Sequence, residues 1–154
     1  MSLRIIDVRA RLPASRHRKY SSRRLAAISR LVVHHSGTDG GTPESFAAYH
    51  TYTLGWPGIG YHYVIARDGT VYKTNALSAV SYHARGANLN GVGVCLVGDF
   101  NRGHPAEAQL QSLRELLRVL GLHLPGAQVT LHREVPGSRT SCPGRNFTRE
   151  LLLG

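Results

Sequence analysis

Gly91-Val92-Gly93-Val94-Cys95-Leu96-Val97-Gly98 is an unbroken apolar run bounded by glycines. It lacks the polar alternation of a strand with one wet face, so it reads as a strand covered on both faces. A strand of that kind needs a layer above and a layer below. The run therefore predicts the middle of a sheet with helices packed on its faces.

The segments around it supply the other parts. Arg30–Ser36 reads as a second buried strand. Thr42-Pro43-Glu44-Ser45 has the form of a helix start, with Thr42 as cap and Pro43 at the first helical position. That helix is expected to end by Gly55. Tyr61–Ala66 and Thr70–Lys73 are strands joined by the turn signal Asp68-Gly69. Residues 75–90 are polar and read as a surface segment lining something. Pro105–Leu120 carries an apolar stripe, Leu110, Leu113, Leu117 and Leu120, and Gly121 is expected to stop it. Gln128–His132 is a further strand and Phe147–Leu153 a short terminal helix. The expected fold is α/β (mixed α+β), a single domain with a central mixed β-sheet flanked by helices.

The 154 residues suffice for one domain with a core, and 42% of them are hydrophobic. No apolar run approaches the ~18 residues needed to span a bilayer. The net charge of +10 is unevenly placed: residues 1–30 hold nine basic residues and one acid, Asp7. Residues 1–30 are therefore expected to be a basic N-terminal arm with little regular structure, and residues 31–154 the main domain. Such an arm suits a polyanion: anionic cell-wall polymer, membrane surface or nucleic acid. No aromatic interleaving in the arm favours nucleic acid. No apolar stretch precedes a small-residue cleavage site, so a standard secretory signal is not expected. Two cysteines, Cys95 and Cys142, make no disulfide framework. Cys95 is expected buried.

His34, His132 and Cys142 are the residues with metal chemistry. Two imidazoles and a thiolate would give a tetrahedral zinc ion three protein ligands and leave one position for water, as metal-assisted hydrolysis requires. His34 and His35 are neighbours on a strand and point to opposite faces, so only one of them can join a given site. Periodicity does not say which.

Five segments, in order, carry a resemblance. They are Val33-His34-His35-Ser36-Gly37, Gly60-Tyr61-His62-Tyr63-Val64-Ile65 with Arg67-Asp68-Gly69-Thr70-Val71, Ser81-Tyr82-His83-Ala84-Arg85-Gly86, Gly91–Gly98, and His132-Arg133-Glu134-Val135 leading to Cys142-Pro143-Gly144. Together they resemble the zinc N-acetylmuramoyl-L-alanine amidases of the type-2 amidase and peptidoglycan-recognition-protein superfamily, the short phage endolysins in particular. The resemblance implies a monomeric peptidoglycan hydrolase that cleaves the amide between N-acetylmuramic acid and L-alanine with a zinc-activated water. It implies Zn2+ on His34, His132 and Cys142, and a catalytic tyrosine at Tyr61. The family's second polar group, two residues before the cysteine, falls on Thr140, with Arg139 beside it. His35, Trp56, His83 and Arg85 are candidates for gripping sugar and stem peptide. Cys95 stands where some members carry a glutamate, so a glutamate base from that strand is excluded. A phage endolysin would be made in the host cytoplasm and released to the cell wall. The alternative is a non-catalytic peptidoglycan-binding protein of the same fold, but members that only bind typically lack the cysteine, and Cys142 is present.

Overall fold

A computed structural model describes residues 3–154 of the protein. Six strands form one mixed sheet: β1 (Ile5–Asp7), β2 (Arg30–His35), β3 (Tyr63–Ile65), β4 (Val71–Lys73), β5 (Gly91–Leu96) and β6 (Gln128–Leu131). Their spatial order is β1-β4-β3-β5-β2-β6. Only β3 and β4 run antiparallel; the other neighbours are parallel. β5 lies at the centre, and all six of its residues are buried, as its unbroken apolar run requires.

The pleat of β2 and β5 divides the molecule. Leu31 and Val33 pair with Val92 and Val94, and all face the helix α2 (Glu107–His123), which buries Leu110, Leu113, Leu116, Leu117 and Leu120 against them. Each such leucine contributes about 2 kcal/mol by leaving water. The opposite face carries His34 in register with Cys95, above Ala47, Ile59, Val64 and Val97. One face of the sheet is therefore core and the other supports the site.

α1 (Pro43–Ala48) begins as its sequence predicts. Thr42 Oγ1 accepts from Ser45 N–H at 3.1 Å, and Ser45 Oγ accepts from Thr42 N–H at 2.9 Å. It continues as a π-helical turn over Tyr49–Thr53. α2 does not stop at Gly121. Leu120 and Leu124, both buried, sit on either side of it and hold the last turn on the sheet, which outweighs the ~1 kcal/mol that a helical glycine costs. The expected terminal helix is a single 3-10 turn, Arg149–Leu152. Among the described residues no helix is long and apolar enough to cross a membrane.

The first thirty residues hold more structure than the sequence suggested. β1 adds to the sheet edge beside β4, and Val8 and Ile28 are buried. Pro13 O accepts from Thr51 Oγ1, Ser15 N–H donates to Pro57 O, and Tyr20 OH donates to Gly58 O. Arg23 sits inward. Its guanidinium donates to the carbonyls of Leu77, Asn88, Leu89 and Gly91 at 2.8–3.1 Å, and burial lowers its pKa to about 10. It fastens the 75–90 segment, which is less a surface loop than expected: Ser81, His83, Ala84 and Ala87 are buried.

Candidate active site

His34, His132 and Cys142 converge from three elements. His34 comes near the end of β2, His132 directly after β6, and Cys142 from the loop that follows. One donor atom from each lies within 4.8 Å of the others. Cys142 Sγ is 3.7 Å from His34 Nδ1, and the His34 and His132 rings are 4.6 Å apart. The cysteine loop is tied back by Arg133, whose N–H donates to Cys142 O at 2.9 Å and whose side chain donates to Gly144 O.

The trio has the chemistry of a cation site. Among the described residues only Asn90 Oδ1 and His132 Nδ1 are buried side-chain polar atoms without a partner. An orphaned imidazole nitrogen beside a thiol and a second imidazole matches a zinc donor set. Burial, and the histidines around it, push the His34 pKa well down, so its ring is neutral and has a lone pair to give. Burial pushes the Cys142 thiol up to about 12, so its thiolate form needs a cation beside it.

Tyr61 stands next to the trio, its ring 5.5 Å from that of His34. Its carbonyl accepts from Thr74 Oγ1 at 2.6 Å and from Asn75 Nδ2 at 2.8 Å, which fixes the chain just before β3. Burial, with the Cys95 and Cys142 thiols near, raises its phenol well above the usual range. It remains a hydrogen-bond donor. Cys95 is fully buried with its thiol also pushed well up. Thr140 Oγ1 accepts from Cys142 N–H at 3.1 Å.

One cavity borders His132 and another borders Tyr61. The first, about 520 Å³, is bounded by His132, Arg85, Arg139 and Thr140. The other, about 330 Å³, is bounded by Tyr61, His50, Phe46 and Tyr49. Neither is lined by an Asp or Glu.

The remaining candidates are placed unevenly. Arg85 is exposed at the first cavity. Trp56 is half-buried and packs on His50 at 4.6 Å and on Tyr82 at 5.6 Å. His35 points to the other face of the sheet, where its Nδ1 accepts from Phe100 N–H at 3.0 Å. His83 is buried behind His34 rather than open to a cleft, with its Nδ1 3.0 Å from His34 Nε2. For His35 and His83 burial leaves little surface with which to grip a ligand. His50 was not singled out by sequence. Its Nδ1 accepts from Gly60 N–H at 2.9 Å, and its ring lies 5.6 Å from Tyr61. Its place on a turn, with no motif around it, gave no signal.

Comparisons with known proteins match both the sequence and the fold. The profile of the N-acetylmuramoyl-L-alanine amidase family matches residues 24–145. The endolysin of Klebsiella phage KP32 is 38% identical over 130 residues, covering 79% of this chain and 83% of that protein. The endolysin of Escherichia phage T7 is 41% identical over 100 residues, covering 62% of this chain and 65% of that protein. Among solved structures, the Ph2119 endolysin from Thermus scotoductus MAT2119 bacteriophage Ph2119 superposes with a TM-score of 0.85 at 30% identity, covering 97% of this chain and 96% of the other.

Proposed function

This chain belongs to the N-acetylmuramoyl-L-alanine amidase family, and from that premise we propose that it hydrolyses the amide between N-acetylmuramic acid and L-alanine in peptidoglycan, as a phage or prophage endolysin. The observation that carries the reading is the convergence of His34, His132 and Cys142, with the buried Nδ1 of His132 left without a protein partner.

These three residues would hold Zn2+. Zinc in such a site supplies Lewis-acid polarisation of the scissile carbonyl and a water made acidic near neutral pH. The chain's own groups do the rest. Tyr61 stays protonated and donates to the carbonyl oxygen as negative charge develops there. The oxygen of Thr140 is occupied by Cys142 N–H, so its hydroxyl hydrogen is free to donate into the cavity it shares with His132. Arg85 and Arg139 at that cavity suit the carboxylates of a stem peptide, which a guanidinium fork binds in pairs. Cys95 is fully buried, and burial raises its thiol well above the usual range.

The test is digestion of purified cell walls with chromatography of the products. Wild type with zinc is expected to liberate new L-alanine amino groups, and Cys142→Ala to liberate almost none. Equal digestion by the two would overturn the reading. A protein that binds walls without cleaving them would instead support a receptor of the same fold.

A further inference from the structure

We propose that His83 is a positioning residue for the metal site: it accepts a hydrogen bond from His34 and locks that ring in the tautomer that turns Nδ1 toward Cys142. The proposal rests on the reading of His34, His132 and Cys142 as ligands, and adds a third histidine that no ligand pattern includes.

The hydrogen-bond chain has one consistent direction. Gly91 O can only accept, and His83 Nε2 lies 3.2 Å from it, so His83 carries its hydrogen on Nε2. A neutral imidazole has one N–H, which makes His83 Nδ1 an acceptor. Both rings are buried, and no Asp or Glu is buried among the described residues to offset a charged ring. His34 Nε2, 3.0 Å from His83 Nδ1, must therefore be the donor. The His34 hydrogen is then on Nε2, and the lone pair on Nδ1 faces Cys142 Sγ at 3.7 Å. Metal-binding histidines commonly donate their second N–H to a carboxylate or a carbonyl, which fixes the ring. Here a second histidine stands between ligand and carbonyl.

The surroundings of His83 are built for this. Its N–H and that of Ala84 both donate to Asn88 Oδ1, at 2.9 and 2.8 Å. The ring lies across β5, where a Cβ on Gly93 would come within 2.7 Å of His83 Cγ and one on Gly91 within 3.2 Å of His83 Cε1. Glycine weakens a strand interior; here the two glycines clear a slot for the imidazole. The far end is held as well, because Gly91 O also accepts from Arg23 Nη1 at 2.8 Å. The chain of contacts runs from Arg23 through Gly91 and His83 to His34, one of the three residues that would hold the metal.

Two measurements on the full chain test the proposal. Zinc affinity, by competition with a chromophoric chelator, is expected to weaken about 10- to 100-fold in His83→Ala. His83→Asn places Oδ1 near the position of Nδ1 and is expected to recover to within about threefold of wild type. Unchanged affinity in a folded His83→Ala, or an Asn variant no better than Ala, overturns it. The second measurement is long-range 15N–1H correlation NMR of the histidines in wild type stripped of metal, which needs no variant to fold. Nε2–H on both His34 and His83 supports the proposal; Nδ1–H on His34 overturns it. If wild type bound no zinc, the ligand reading would fail, and the tautomers would still decide the role of His83.

Discussion

Tyr61 differs from an ordinary strand tyrosine in its neighbours. Two histidine rings lie close to it, His34 at 5.5 Å and His50 at 5.6 Å, and its phenol is held protonated. Tyr61→Phe keeps the ring and removes only the donor. We expect kcat to fall about 10²- to 10³-fold with zinc content and thermal stability unchanged, which a wall-digestion assay and metal analysis will separate. A matching loss of zinc would make Tyr61 a packing residue. The sequence reading reached Tyr61, His34, His132 and Cys142 through ordered motifs, and the fold brings the four together. It could not separate His34 from His35 by chemistry. The structure does so through the pleat: His35 is spent on Phe100 N–H on the helix side of the sheet. It also did not foresee that His83 faces His34, because that contact spans 49 positions and depends on two glycines in another strand.

At the level of elements, β5 was legible because a strand covered on both faces leaves a continuous apolar run. The N-terminal segment was not. Apart from the three-residue β1 and the buried Val8 and Ile28, it is held by hydrogen bonds to distant carbonyls, which leave no periodic trace, and Arg23 looks like one more surface arginine. Arg23→Lys keeps the charge but loses the planar fork that reaches Leu77, Asn88, Leu89 and Gly91. We expect it to destabilise the protein by about 1–3 kcal/mol, read as a lower urea midpoint; an unchanged midpoint would make the clamp incidental. Gly93→Ala presses a methyl on the His83 ring and is expected to cost about 1–3 kcal/mol and to weaken zinc binding as well. Leu113→Ala, on the opposite face, is expected to cost about 2–5 kcal/mol with zinc affinity untouched. That contrast tests the division of the sheet into a core face and a site face.

Across the whole molecule, neutral buried histidines set the response to acid. His62 accepts from Gly93 N–H through Nδ1 and lies 2.8 Å from Ala79 O through Nε2. Burial is the main reason its pKa falls from 6.5 to about 4. The folded value lies below the unfolded one, so the unfolded chain binds the proton more readily. The contribution of His62 is whole above pH 6.5 and is lost as pH falls toward 4, by on the order of 3 kcal/mol. Urea midpoints taken between pH 7 and pH 4.5 should fall, and a flat profile would contradict the placement of His62. Net charge of +10 adds repulsion in the same direction.

The account depends most on the three donor atoms acting together as a hydrolytic centre. The most direct measurement is zinc stoichiometry with cell-wall digestion on the same wild-type and Cys142→Ala preparations. The account predicts about one zinc per chain in wild type, as a three-ligand site holds, with release of L-alanine amino groups, and loss of both in the variant. Wall cleavage by wild type without bound zinc, or cleavage that survives loss of the thiol, would contradict it.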